Sequence, residues 1–155
     1  RQGDAAAART MYEEALAVVR ELRDKRGIAG ALCGLGSVAL AQGDDRTAHT
    51  HYAASLAIFK ELGDKWFIAL CLEGLAGAHA QGQPARAIQL LAAAAALRDS
   101  IRAPLPPAYR ATTDRHLTAA HARLGEAVFA AAWAEGKAMP IEQVIAMELA
   151  EGIPA

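Results

Sequence analysis

The sequence predicts an all-α fold in which antiparallel helix pairs stack in a row, with about seven or eight helices in total. The chain repeats itself: residues 2–40 laid over residues 42–80 are identical at about 17 of 39 positions, which gives a period of about 40 residues. Within each period, apolar residues recur at spacings of three and four, as on one face of an α-helix. No stretch alternates with a period of two, so we predict no strands.

Each period reads as two helices separated by a polar turn. In the first period, Asp4 and Asp24 precede the two helices, and each can cap a helix by accepting an unpaired backbone N–H. The pair Gln42-Gly43 ends the second helix, because glycine readily takes the left-handed conformation that a helix C-terminus favours. The second period repeats this arrangement.

Prolines and glycines mark the later helices. Pro84 fits the first turn of a helix, where its missing N–H costs nothing. The run of prolines at residues 104–107 interrupts the next connection, Gly136 is expected to break a helix, and Pro140 opens the last one. The predicted helices are Asp4–Leu22, Lys25–Ala41, Asp44–Leu62, Asp64–Ala80, Pro84 to about Arg102, Ala108–Leu124, Glu126–Glu135 and Ile141–Glu151.

The spacing of small and apolar residues on successive helices resembles the tetratricopeptide repeat. In that family, Leu-Gly and Ala on the first helix interlock with Ala, Tyr and Ala-Leu on the second. The main positions of this sequence that match the interlocking residues are Ala8, Tyr12, Leu32, Leu35, Gly36, Ala48, Tyr52, Leu72, Leu75, Ala87 and Leu91. The resemblance covers about residues 2–98 and implies a right-handed superhelical solenoid whose first helices line the concave face.

The same resemblance suggests how the chain is organised. Residues 1–103 are expected to hold the repeats, as a half repeat over residues 3–23 and full repeats over about 24–63 and 64–102. Residues 104–155 are expected to form a degenerate repeat and C-terminal capping helices. Because the chain opens at Arg1 with the second helix of a pair, we expect it to be a fragment of a longer protein.

The C-terminal part carries a second resemblance. The segments Pro-Leu-Pro-Pro, Arg-Leu-Gly-Glu-Ala-Val-Phe and Glu-Gln-Val-Ile-Ala within residues 103–149 look like the end of the repeat region in large bacterial ATPase-linked transcriptional regulators of the LuxR type. This resemblance implies a regulatory role. A helix-turn-helix domain often follows in those proteins, and none of its signature is visible in this sequence.

Composition argues against several classes of partner. The formal net charge of −1 gives no basic surface for direct nucleic-acid binding and no polybasic signal for an anionic membrane, and the most apolar run, residues 85–97, is too short to span a bilayer. Cys33 and Cys71 show neither CxxC spacing nor a disulfide framework, so we interpret them as two small buried or half-buried thiols of a cytoplasmic protein. Gly34 and Gly36 lie inside a predicted helix and are interpreted as places where helices approach closely.

The histidines form no recognisable metal motif. His49 and His51 are two residues apart and would point about 200° apart on a helix, and His116 and His121 do not share a face. His79 lies on the interlocking face, where a core residue is expected. We therefore predict no metal site, no cofactor and no catalytic residues, and so no enzyme.

The concave face is the predicted binding surface. The residues expected to line it or to stand at its rim are Arg26, Cys33, Ser37, Trp66, Leu70, Glu73, Thr112 and Arg115. They lack the row of Lys, Arg and Asn expected of a clamp for acidic peptide ends.

Two functions remain open. One is a protein-interaction and signal-coupling module that binds a protein, a peptide or neighbouring domains of its own chain. The alternative is a purely structural or self-associating segment. In that case the incomplete N-terminal repeat would leave Tyr12, Leu16 and Val19 without a partner on one side and would favour a homodimer.

Overall fold

The computed structural model describes residues 2–150, and these residues form eight α-helices without a strand. The predicted all-α repeat fold is therefore confirmed. The helices are α1 (Gln2–Glu21), α2 (Lys25–Ala41), α3 (Asp45–Leu62), α4 (Lys65–His79), α5 (Pro84–Ile101), α6 (Pro107–Leu124), α7 (Glu126–Ala138) and α8 (Ile141–Ala150).

Three aspartates start the helices of the repeat region at intervals of 20 residues. The carboxylates of Asp24, Asp44 and Asp64 each accept a hydrogen bond from the backbone N–H three residues later, at 3.0–3.1 Å. The prediction that Asp4 caps α1 is wrong, because this helix already begins at Gln2. Asp4 lies in the first turn, where a negative charge still favours the helix dipole.

The helix ends of the two periods use the same backbone conformation with different residues. Gly43 takes the predicted left-handed conformation, with φ of +75°. Arg23 and Gly63 stand at equivalent positions, 40 residues apart, and both are left-handed, with φ of 54° and 68°. Arginine adopts this conformation at a steric cost that glycine avoids.

Helix α7 departs from its predicted end. Gly136 was expected to break it, but the helix continues to Ala138. A Cβ atom at Gly136 would lie only 2.3 Å from the carbonyl oxygen of Gln89 in α5. This glycine therefore serves a close approach between two helices and does not end one. The last residue predicted for α8, Glu151, lies outside the described residues.

The helices pack in two layers. Consecutive helices from α1 to α5 pack against one another, and α2, α4 and α6 contact each other in a row. Beyond α6 the chain turns back: α7 packs chiefly against α5, and α8 packs against α3 and α5. Because α4, α6, α7 and α8 all contact it, α5 is buried on most sides, which explains its apolar run.

Tyrosine rings occupy the space left by glycines on the neighbouring helices. A Cβ at Gly34 would lie 2.3 Å from the ring of Tyr12, and a Cβ at Gly74 would lie 2.3 Å from the ring of Tyr52. Tyr52 also lies against Gly36, at 2.8 Å from the same hypothetical atom. Gly34 and Gly36 are thus sites of close helix contact, as predicted. Of the interlocking positions, Ala8 and Tyr12 are half-buried and the others are buried.

The exposed apolar residues of α1 differ from those expected. Tyr12, Leu16 and Val19 pack against α2, where they form a small core with Ala31, Leu32 and Leu35. The side chains left exposed on this helix are Met11, Val18 and Leu22.

No helix within residues 2–150 combines the length and the apolar character that crossing a bilayer requires.

Candidate functional site

A cleft of about 600 Å³ lies between α2, α4 and α6. Six of the eight residues predicted for the concave face line this cleft, namely Cys33, Ser37, Leu70, Glu73, Thr112 and Arg115. Gly30, Gly34 and Gly74 also line it, and the rings of Tyr12 and Tyr52 reach it from α1 and α3 against Gly34 and Gly74. The repeat spacing places these residues together, because equivalent positions of successive first helices face the same side.

Arg26 and Trp66, the other two predicted residues, are not among the residues that line the cleft. The guanidinium of Arg26 forms an ion pair with the carboxylate of Asp64, the cap of α4. Trp66 packs edge-to-face on Phe67 and lies under the guanidinium of Arg98, which is 5.3 Å from its ring centre. Both residues belong to the start of a helix and help to hold adjacent elements together.

Among residues 2–150, Glu73 is the only acid that lines the cleft, and a buried arginine neutralises it. Glu73 and Arg98 form a bidentate pair, with Nε to Oε1 at 2.6 Å and Nη2 to Oε2 at 2.9 Å. Burial raises the pKa of Glu73, and the hydrogen bonds and charge of Arg98 act in the opposite direction. The same guanidinium donates a hydrogen bond to the carbonyl of Ala103 after α5. The pair therefore fastens α4 to α5 and brings no free charge to the cleft.

Two thiols meet beside the cleft. The Sγ atoms of Cys33 and Cys71 are 3.5 Å apart, and the Ser55 hydroxyl lies 3.1 Å from Cys33. Ser55 donates its own hydrogen bond to the carbonyl of Ala29. The hydrogen bond from Cys71 lowers the pKa of Cys33, whereas burial raises the pKa of Cys71. The prediction of two buried thiols is confirmed, but their proximity could not be read from the sequence.

Helix α6 supplies the polar wall of the cleft. Tyr109, Thr112 and Arg115 are exposed there, and the Arg115 guanidinium donates to the Thr112 hydroxyl at 3.2 Å. His116 also lines the cleft and lies over Gly77 of α4. Burial, and then the charge of Arg115, lower the pKa of His116. The sequence did not predict Tyr109 and His116 as lining residues, because the 40-residue period does not extend into this degenerate segment. It did predict Thr112 and Arg115, which lie on the same helix.

A second cluster, made of side chains of the types that bind metal ions, lies away from the cleft. His49, His79 and Glu148 are all buried, and one ligand atom of each lies within 4.8 Å of the others. The sequence carries a weak signal for the acid: Ile141, Val144 and Ile145 form the apolar stripe of α8, and Glu148 continues that stripe. A carboxylate on a buried face requires partners.

The fold is a helical-repeat solenoid, and the cleft on one of its faces has the volume of a ligand pocket. A sequence model described as the tetratricopeptide repeat matches residues 1–61, which is 61 of the 155 residues. This match supports a tetratricopeptide repeat family and thereby a helical-repeat module for protein interaction. No curated protein and no solved structure matches the chain. The resemblance to regulators of the LuxR type receives no support from these comparisons.

Proposed function

We propose that this chain is a non-catalytic protein-interaction module that binds a peptide, or a segment of a neighbouring domain, in the cleft between α2, α4 and α6. The cleft itself carries the proposal. Its volume of about 600 Å³ lies in the range of ligand pockets. Two of its walls belong to the repeats, and Gly30 leaves open space on one of them.

The chemistry of the lining favours a segment with small apolar side chains and some hydrogen-bonding capacity. Leu70 and Phe67 offer apolar surface, while Ser37 and Thr112 offer hydroxyl groups. Because Arg98 neutralises Glu73, Arg115 contributes the exposed charge of the lining. A neutral or mildly acidic segment therefore fits better than a basic one.

The sequence resemblance extends the proposal to context. The module would be part of a larger cytoplasmic bacterial transcriptional regulator or signalling ATPase and would couple a bound segment to neighbouring domains, with no direct contact to nucleic acid or membrane. This part rests on the segments of residues 103–149 quoted above. The proposed organisation is the one the repeats suggest, with residues 1–103 as the repeat region and residues 104–155 as its degenerate and capping part.

Gly30 allows a direct test of the cleft. A Cβ at Gly30 would meet no atom within 4 Å, although this residue lines the cleft. The substitution Gly30→Trp should therefore fill the cleft without disturbing the packed helices. Gly3→Trp is the matched control, since Gly3 is also helical with open space and lies outside the cleft.

The experiment selects binders to the wild-type chain from a phage-displayed library of short random peptides and measures their affinity by fluorescence anisotropy. We expect the selected peptides to lose at least about tenfold in affinity for Gly30→Trp, which corresponds to about 1.4 kcal/mol, and to bind Gly3→Trp normally. Arg115→Glu should weaken acidic peptides more than neutral ones. Equal binding to both tryptophan variants would refute the cleft as the binding site.

A specific observation favours self-association as a second candidate. Met11, Val18 and Leu22 are 57%, 55% and 71% exposed on α1 and follow one another at spacings of seven and four, which places them on one side of the helix. Under this hypothesis, sedimentation at two protein concentrations should show a dimer that Val18→Lys abolishes. A strict monomer at the higher concentration excludes it.

A further inference from the structure

His49, His79 and Glu148 come from three helices that are distant in sequence. His49 lies in α3, His79 is the last residue of α4, and Glu148 lies near the end of α8. Each residue is at most 5% exposed. The two imidazole rings stand edge-to-face with their centres 5.3 Å apart.

One carboxylate oxygen faces both imidazoles. Oε1 of Glu148 lies 2.9 Å from Nε2 of His79 and 3.9 Å from Nε2 of His49. The other oxygen, Oε2, accepts a hydrogen bond from Nε of Arg86 at 2.9 Å and a second, shorter one from its Nη2. Arg86 thus orients the carboxylate and leaves Oε1 directed between the two histidines. Carboxylates and imidazoles that bind metals are commonly oriented by such secondary contacts.

His49 has a buried nitrogen without a partner. Nε2 of His49 makes no hydrogen bond to any of residues 2–150, because 3.9 Å is beyond hydrogen-bonding distance. Burial lowers the pKa of His49, against the opposing charge of Glu148. A buried polar atom without a partner is costly, and a neutral imidazole nitrogen is a good ligand for a metal ion.

We propose that Nε2 of His49, Nε2 of His79 and Oε1 of Glu148 bind a divalent transition-metal ion, with Zn²⁺ as the best match. Two imidazoles and one carboxylate are a ligand set that Zn²⁺ accepts, and tetrahedral bonds of ordinary length place neighbouring ligand atoms about 3.4 Å apart. The observed separations from Oε1, 2.9 and 3.9 Å, lie on either side of that distance. All three ligand atoms lie within 4.8 Å of one another, so side-chain adjustment on binding would bring them to that spacing.

Binding exchanges one set of interactions for another. The hydrogen bond between His79 and Glu148 is replaced by two bonds to the ion. Nε2 of His79 must be free of a proton to bind the ion, and its Nδ1 has no partner among residues 2–150. Arg86 already balances the charge of Glu148, so the ion adds positive charge to the cluster. Asp45 lies one turn before His49; burial and the charge of Asp44 raise its pKa, and the charge of His79 acts in the opposite direction.

The ion would tie the last helix to the repeats. Glu148 belongs to α8, whereas the two histidines belong to α3 and α4, so one bound ion cross-links elements about 70 and 100 residues apart in sequence. This site is independent of the cleft, and it departs from the prediction of no metal made from the sequence alone.

The test uses the whole chain, treated with a chelator and then transferred to chelator-free buffer. ZnCl₂ alone is titrated by calorimetry, and bound zinc is counted by elemental analysis. We expect one ion per chain, an increase in Tm with zinc, and stronger hydrogen-exchange protection of α8. Co²⁺ in place of Zn²⁺, held by the three side chains and one water molecule, should give the visible absorption of a four-coordinate site.

Two histidines of α3 provide matched variants. In His49→Gln the lost ligand atom, Nε2, is one that makes no hydrogen bond to any of residues 2–150, so the fold should persist. His51→Gln changes a half-buried histidine of the same helix outside the cluster. Zinc affinity should fall at least about tenfold in His49→Gln, with loss of the Tm increase, and should be unchanged in His51→Gln. If the wild-type chain shows neither a Tm increase with zinc nor a four-coordinate Co²⁺ spectrum, or if both variants bind zinc equally, the proposal is wrong.

Discussion

At the scale of single residues, Tyr52 joins two repeats. Its ring lies between Gly36 of α2 and Gly74 of α4, and only 7% of the residue is exposed. Neither glycine has a side chain that could move into the space of the ring. Removal of the ring would therefore leave a cavity among three helices, which partial relaxation cannot fill.

We predict that Tyr52→Ala lowers the free energy of unfolding by about 3–5 kcal/mol, as truncation of buried aromatic residues does. Urea unfolding followed by circular dichroism would measure this. Tyr109→Ala is the control: Tyr109 is 43% exposed, so its loss should cost no more than about 0.5 kcal/mol. A cost below about 1 kcal/mol for Tyr52→Ala would show that its ring does not interlock the repeats.

The sequence predicted the roles of residues that recur with the 40-residue repeat. It did not predict the roles of residues whose partners lie far away in sequence. The offset of 40 residues identified Tyr12 and Tyr52 as equivalent, and both meet glycines of the neighbouring helix. It also indicated Glu73 as a residue of the concave face. It could not reveal Arg98 as the partner of Glu73, because an isolated arginine in an apolar helix has no counterpart at the equivalent position of another repeat.

At the scale of helices, α7 shows why a glycine is an ambiguous signal. Gly136 lies inside this helix because the backbone of α5 at Gln89 leaves no room for a Cβ. The sequence alone permits two interpretations of such a residue, a helix end or a close contact. Only the neighbouring helix decides between them.

Gly136→Ala should lower the free energy of unfolding by about 1–3 kcal/mol, since the new methyl group must displace backbone and not a flexible side chain. Gly30→Ala is the matched substitution in open space, and it should raise stability by up to about 1 kcal/mol through helix propensity. Thermal unfolding of both variants would compare them. Equal effects of the two substitutions would contradict the close contact between α5 and α7.

At the scale of the whole molecule, histidines make stability depend on pH. Burial is the largest cause that lowers the pKa of His49, His51 and His116 in the folded chain. Between about pH 7.5 and 5.5, the unfolded chain therefore binds more protons than the folded chain. Stability consequently falls as the pH is lowered through this range.

We expect urea unfolding in chelator-containing buffer to give a smaller free energy of unfolding at pH 5.5 than at pH 7.5. His116→Asn should reduce this difference, because it removes one of the groups that the unfolded state protonates more readily. A free energy that stays constant or rises as the pH falls would contradict the lowered histidine pKa values. Glu148, in contrast, affects stability at lower pH. Burial raises the pKa of Glu148, but the hydrogen bonds and charges of His79 and Arg86 outweigh burial, so the pKa is lowered overall. The contribution of Glu148 to the free energy of unfolding is therefore lost only as the pH falls below the ordinary pKa of a glutamate.

The architecture was predictable as far as the repeat extends. Helix order, the aspartate caps at Asp24, Asp44 and Asp64, and the face shared by α2 and α4 follow from the period. The return of α7 and α8 onto α5 and α3 does not, because it depends on contacts such as Glu148 with His79 and Arg86, which lie more than 60 residues apart. No local pattern encodes a pairing of that kind.

The return of α8 changes where a mechanical load would enter the molecule. In a simple solenoid, tension on the last helix pulls on its immediate predecessor, and the repeats peel away one after another from that end. In this chain, Glu148 joins α8 directly to His79 and Arg86 in the middle of the array. A pull on α8 is thus delivered to α4 and α5 at the same time, and the terminal helices and the central repeat must yield together.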